Sequence, residues 1–296
     1  MERPSNRRRV VATAVVGGLV AVTLAGCGGG GGSDSGKKTK SAGGADSEKQ
    51  STQAVQATHH KTTGAKTAKL TLATEVKGAG EQASATGAGV VDLAAGSSEV
   101  TLTSQGQELK QRTLDGMVYQ QPPAGSGSGL PDGKSWMKID LKKLAEQQGA
   151  GGAGAGGVSD PAASFSYTKG ISDKNVKKVG PSTVDGEKTT HYRVTVDVDA
   201  LAKDNTEQTR KLKEQLGATL PLDIWLDDDG RLRQQKMELT IKRPAGETEG
   251  PAQVAVLTTL KLSDFGTDVN VTAPAAKDTV DVTAKLAKQG SETQAG

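Results

Sequence analysis

Apolar residues recur at every second position in run after run of this chain, and that period admits few architectures. Tyr192, Val194, Val196 and Val198 share one parity, while Arg193, Thr195 and Asp197 share the other. The same alternation holds for Leu222, Ile224 and Leu226, for Met237, Leu239 and Ile241, and for Val254, Val256, Leu260 and Leu262. Leu70, Leu72 and Val76 repeat it nearer the start, as do Val100 and Leu102. A side-chain repeat of two predicts β-strands with one face in a core and the other in water. Half-wet strands of this kind belong to antiparallel sheets. Asp227-Asp228-Asp229-Gly230 separates two of the runs and reads as a turn. It is not a calcium loop, because Trp225 and Lys236 stand where an EF-hand needs ligands.

Helical signals are sparser. Leu141 to Gln148 follows a strand over Trp136–Ile139, and Asp160-Pro161 supplies an N-cap and a first-turn proline for a second helix. Asp199 to Leu216 is the longest candidate, with Leu201, Leu212 and Leu216 as a thin apolar stripe among charges. Helices inserted among antiparallel runs predict an α+β domain, with the helices covering one face of a curved sheet. Aromatic residues are only 2% of the chain, so its core must come from Val, Leu, Ile and Ala. The single cysteine, Cys27, excludes an internal disulfide framework.

That cysteine closes an N-terminal pattern of a different kind. Arg7, Arg8 and Arg9 form a basic region, Val10 to Thr23 is uncharged and apolar, and Leu24-Ala25-Gly26-Cys27 follows. The arrangement is that of an export signal. The apolar run is shorter than the roughly 20 residues of a membrane-spanning helix. Leu24-Ala25-Gly26-Cys27 resembles a bacterial lipobox. The resemblance implies cleavage after residue 26, diacylglyceryl transfer to the Cys27 thiol, and a mature protein anchored to the outer face of the cell membrane without spanning it. Two acyl chains suffice for stable anchoring where one is marginal. The expected organisation is a leader at 1–26, a lipidated cysteine and flexible Gly/Ser/Lys-rich tether at 27–65, a folded domain at 66–286 and a frayed tail at 287–296.

Charge and motifs then remove several function classes. The formal charge of +3 resides in the leader, since residues 27–296 carry 33 basic and 33 acidic side chains. The electrostatic footprint of a nucleic-acid binder is therefore missing. His59 and His60 lie in the expected tether, and His191 reads as a surface residue at a strand start. No zinc spacing and no Gly-x-Ser-x-Gly elbow occurs. Gly152-Ala153-Gly154-Ala155-Gly156-Gly157 fits a dinucleotide fingerprint in letters only, because it follows a helix inside a Gly/Ala run. The paired carboxylates Asp227/Asp228 and Asp197/Asp199 read as solvated surface. These residues point away from an enzyme, and none calls for a metal or cofactor.

Several segments carry a further resemblance. They are Gly133-Lys134-Ser135-Trp136-Met137-Lys138-Ile139-Asp140-Leu141, then Thr183-Val184-Asp185-Gly186 leading into Thr190-His191-Tyr192-Arg193-Val194, then Pro221-Leu222-Asp223-Ile224-Trp225-Leu226-Asp227, and Leu262-Ser263-Asp264-Phe265-Gly266. Together they are similar to actinobacterial cell-envelope lipoproteins of the LppX/LprG type. The resemblance implies a curved antiparallel β half-barrel related to the LolA/LolB carriers. It places helices on the concave face and a lipid or lipoglycan chain between sheet and helices. The alternating residues that would line such a space are Val194, Val196, Val198, Leu222, Ile224, Leu226, Val254, Val256 and Leu260. The expected function is that of an anchored carrier of an apolar ligand. The alternative is a structural or sensory envelope lipoprotein with a filled core, acting through protein partners.

Overall fold

A computed structural model describes residues 43–78, 81–123, 130–131, 133–148, 171–201, 206–243 and 251–288. Within it the alternating runs become strands of one open sheet. In chain order these are β1 (Thr67–Gly78), β2 (Glu81–Asp92), β3 (Ser97–Ser104), β4 (Gln107–Leu114), β5 (Met117–Gln121) and β6 (Trp136–Asp140), followed by β7 (Val176–Val184), β8 (Glu187–Asp197), β9 (Thr219–Leu226), β10 (Leu232–Lys242), β11 (Gln253–Ser263) and β12 (Thr279–Asp281). The spatial order is β12-β6-β5-β4-β3-β2-β1-β11-β10-β9-β8-β7. Two meanders, β1 to β6 and β7 to β11, thus meet where β1 pairs with β11. All pairings are antiparallel except one: β12 runs parallel to β6, which corrects the expectation of a wholly antiparallel sheet. The sheet does not close on itself, because β7 and β12 are its edges.

Tight turns make the meanders possible. Asp115-Gly116 joins β4 to β5 and Asp185-Gly186 joins β7 to β8, each with both residues at positive φ. Such two-residue turns match the right-handed twist of the strands they connect. The core is aliphatic, as composition requires. Val55, Leu70, Val91, Val100, Val194, Leu222, Ile224, Leu226, Leu232 and Leu262 belong to a single buried cluster.

The domain is mostly β, with a few helices rather than an even α+β mixture. They include α1 (Gly43–Gly64), α2 (Leu141–Gln148), α3 (Val198–Leu201) and α4 (Thr206–Leu216), and residues 283–288 are also helical. The predicted helix over Asp199–Leu216 is therefore two pieces, and Val198 begins α3 instead of extending a strand. The leader, Cys27, the Asp160-Pro161 helix and the Gly/Ala run near residue 152 lie outside the described residues.

Helix α1 corrects the expected tether over much of its length. Its buried residues are Ser51, Thr52, Val55, Thr58 and Thr62, a helical stripe in which only one member is a large hydrocarbon. The hydroxyls of Ser51, Thr52 and Thr58 donate to the carbonyls of Ser47, Glu48 and Ala54, four residues back. Such back-bonding leaves methyl and methylene groups facing the core with no unpaired donor. Thr62 Oγ1 accepts the buried Leu232 N–H at 2.9 Å, and Gln56 Nε2 reaches the Ile171 carbonyl at 3.3 Å. α1 packs against β7 and β10.

At the other side of the sheet, carboxylates fasten the short elements. Asp140 caps α2 by accepting the Lys143 N–H at 3.0 Å, and its own N–H donates to Thr283 Oγ1. Asp281 accepts the Thr283 N–H at 3.0 Å. The Lys143 N–H holds the Asp140 carboxyl below the usual carboxylate range, and the Thr283 hydroxyl and N–H do the same for Asp281. The Lys69 ammonium lowers Asp264 in the same sense. For a depressed carboxylate the stabilisation is complete above the unfolded pKa of about 4 and is lost as pH falls through the folded value. The melting temperature should therefore stay level from neutral pH to about pH 5 and fall below about pH 4. Hydrogen exchange in acid should report β12 and the start of α2 opening ahead of β8 and β9.

Candidate functional site

Residues directly opposite each other on paired strands share a face, so the register traces the apolar rows across the sheet. One row runs Tyr192, Ile224, Gln235, Leu260, Leu72, Gly87, Leu102, Leu109. A parallel row runs Val194, Leu222, Met237, Thr258, Thr74, Ala85. A third joins Leu239, Val256, Val76 and Ala83. All lie on the face against which Val55 of α1 is packed, since Val55 shares the core cluster with Val194, Leu222 and Ile224.

The nine residues expected to line a ligand space divide along these rows. Val194, Val196, Val198, Leu222, Ile224 and Leu226 are buried and belong to the filled core. Val254, Val256 and Leu260 on β11 are half-buried, as are Leu72 and Val76 on β1 and Leu102 on β3. The same apolar face thus passes from a filled part, over β8, β9 and the ends of β11, β1 and β3 that carry Leu262, Leu70 and Val100, to a half-covered part over the rest of β11, β1 and β3. The seam is β10. There Met237 and Leu239 are partly buried against the core and Ile241 is half-buried.

β10 also holds a residue that the alternation points to but that sequence reading passed over. Gln235 shares parity with Met237, Leu239 and Ile241 and so faces the same way. Its side-chain Oε1 is buried with no hydrogen-bond partner. A polar residue at an inward parity was the available signal.

A cleft of about 650 Å³ lies elsewhere, between the end of α1 and the turns after β2 and β4. His59, His60, Leu93, Asp115 and Leu141 are among its lining, and none of the nine expected residues is. On the opposite face of the sheet His191 differs from the free surface residue expected. Its ring stacks on Trp225 at 4.3 Å, and Nε2 lies 2.7 Å from Asp223 Oδ1, which also accepts Arg193 Nε at 3.1 Å. Asp227 is likewise no solvated turn residue. Its side chain is 7% exposed and lies between Arg231 and Arg233. Among the described residues no group of three or more His, Cys, Asp or Glu side chains could hold a metal ion, and no helix is long and apolar enough to cross a membrane.

An open, largely antiparallel sheet with one continuous apolar face defines the class: a mostly β domain whose helices cover part of that face. The chain belongs to the same family as an uncharacterised 31.2 kDa protein of Streptomyces griseus encoded between rplA and rplJ, with 32% identity over 263 residues and 81% of each chain covered. It is also 29% identical over 161 residues to a putative lipoprotein of Streptomyces coelicolor, covering 54% of this chain and 46% of that one. Similar solved structures are mycobacterial lipoproteins of the type the sequence resembles. One is LppX of Mycobacterium tuberculosis, with a TM-score of 0.42, 14% identity, and coverage of 74% of this chain and 99% of LppX. Another is LprF of Mycobacterium bovis, with a TM-score of 0.40, 13% identity, and coverage of 77% and 98%. No protein-family model matches the chain.

Proposed function

We propose that this protein is a lipid-anchored, extracytoplasmic lipoprotein that shelters an apolar ligand against the inner face of its sheet. The observation that carries the reading is the passage of one apolar face from filled core to half-cover across β10, β11 and β1. Half-covered apolar side chains such as Leu72, Val76, Val256 and Leu260 gain from further removal from water, which a ligand would supply. Curvature supports the half-barrel form. Inner-face residues of β2 are Ala83, Ala85, Gly87, Gly89 and Val91, and a Cβ at Gly87 would meet Leu102 and Leu72 from the strands on either side. Side chains that converge over a strand lie on the concave side of a bend. In this reading α1 covers one part of that concave face and a ligand covers another.

Anchoring rests on the leader at 1–26 and on Cys27, with support from the Streptomyces coelicolor relative described as a putative lipoprotein. The tether is shorter than 27–65, because α1 begins at Gly43. The partner is then the membrane itself, through the acyl chains, and the cargo is a lipid or lipoglycan. Catalysis has no part in this reading.

Native mass spectrometry with lipid extraction tests it, on the chain exported as Cys27→Ser from an actinobacterial host and purified without detergent. A discrete added mass released as lipid is the expected result. A clean apo mass, with no uptake from envelope lipid extracts, would overturn the carrier reading and leave the filled half of the core as the whole of it.

A further inference from the structure

Cover over the inner face changes along the strands, and on four neighbouring strands it changes in the same direction. On β1 Leu70 is buried, while Leu72 and Val76 are half-buried. On β11 Leu262 is buried, while Val256 and Val254 are half-buried. β10 passes from buried Leu232 to half-buried Leu239 and Ile241, and β2 from buried Val91 to exposed Ala83. Register brings Leu239, Ile241, Val254, Val256, Val76 and Ala83 together at one end of these strands.

Followed back toward Cys27, helix α1 heads for that same end. Its Thr62 meets Leu232, which lies at the level of Leu226 and Thr190 near the sealed end. Earlier in the helix Gln56 reaches Ile171, and α1 packs on residues 173–175, just before Val176 at the level of Val194. Val194 is in turn level with Leu222 and Met237, closer to the uncovered end. Only residues 28–42 separate Gly43 from Cys27, at most about 55 Å of extended chain.

Resting on the anchored reading above, we infer that the uncovered end of the sheet rests on the membrane that holds the Cys27 lipid. Half-covered aliphatic side chains at the tip of a domain gain by entering the boundary between headgroups and acyl chains. Ile241, Val254, Val256 and Val76 make that contact. Leu72 and Leu260 lie behind it, nearer the sealed end, so an apolar ligand moves between bilayer and sheet without crossing water. A second copy of the chain or a soluble partner would cover the same residues, but neither gives a reason for them to gather at the end toward which the anchor leads.

The test reads depth in a bilayer. In the exported chain the lipid occupies the Cys27 sulfur, so an introduced cysteine is the only free thiol. Ala83→Cys and Ile241→Cys at the uncovered end, and Asp228→Cys in the turn at the other, are labelled with an environment-sensitive fluorophore. The lipidated chains are reconstituted in phosphatidylcholine vesicles with and without bromine on the acyl chains. Bromine should quench the labels at 83 and 241 several-fold and leave the label at 228 unchanged. Ala83 is exposed, so its label reports even if one at Ile241 disturbs the fold. No quenching at 83, or equal quenching at 83 and 228, overturns the inference and leaves the anchored reading standing. A spectral shift at 83 that grows with protein concentration in the Cys27→Ser chain, free of vesicles, also overturns it and points to a second copy. An exported chain with no lipid on Cys27 removes the anchored reading and the inference together.

Discussion

Valine in place of Gly89 is expected to destabilise the domain by at least about 3 kcal/mol, as extra atoms forced against backbone do. A Cβ at this position would collide with the Glu99 carbonyl oxygen and lie 2.8 Å from the Val100 Cα. Both obstacles are backbone atoms of β3, so no rotamer change clears them and the pairing of β2 with β3 must shift. Gly87, two residues away on the same face, is the natural comparison. There the Cβ would meet Leu102 Cδ2 at 2.8 Å and Val100 Cγ1 at 3.3 Å, which are side chains able to turn aside. Gly87→Ala should therefore cost only about 1–3 kcal/mol. Against a total stability of roughly 5–15 kcal/mol, the Gly89 change removes a large share. Urea unfolding of both variants measures the difference. A Gly89→Val protein within about 1 kcal/mol of the parent would mean that β2 and β3 stand at ordinary separation, and the bend argued from that strand would go with it.

What alternation reveals, and what it hides, follows from which residues occupy the inward positions. β1, β8, β9, β10 and β11 are legible because Val, Leu and Ile fill one parity against charged or hydroxyl residues on the other. β2 is not, because four of its inward positions are Ala83, Ala85, Gly87 and Gly89, which give no hydrophobic signal, and Val91 stands alone at its end. α1 is hidden for a related reason. Its buried stripe is built from Ser51, Thr52, Thr58 and Thr62, residues whose hydroxyls are paired within the helix or with Leu232. Composition read them as a solvated linker. The inward apolar residues were legible as a face, while their degree of cover was not. Parity places Ile224 and Leu260 on the same side, but only the position of α1 and the neighbouring strands decides that one is sealed and the other half-covered.

Asp227→Ala is expected to cost about 3–4 kcal/mol, the range found when one member of a buried ion pair is removed and its partner is left uncompensated. One oxygen of Asp227 accepts the backbone N–H groups of Asp229 and Arg231, at 3.1 and 2.9 Å, and so closes the turn between β9 and β10. The other accepts Arg231 Nε at 2.9 Å and Arg233 Nε at 3.1 Å. Both guanidinium groups also lie over the Phe265 ring, at 4.7 and 5.0 Å. This single carboxylate thus binds the hairpin, two arginines and the segment after β11 together. The Arg233 side chain is only 13% exposed, and its other carboxylate, Glu187, is 3.7 Å away on a side chain 61% exposed, so neither water nor Glu187 replaces the close partner. Asp228, its exposed neighbour in the same turn, should tolerate alanine within about 0.5 kcal/mol. A double-mutant cycle with Arg233→Met separates charge pairing from turn closure. If pairing dominates, the double variant recovers much of the loss, because an apolar side chain replaces the stranded cation. If turn closure dominates, Asp227→Asn restores stability and the double variant does not. Equal effects of alanine at 227 and 228 would show that the arginines draw no stabilisation from Asp227.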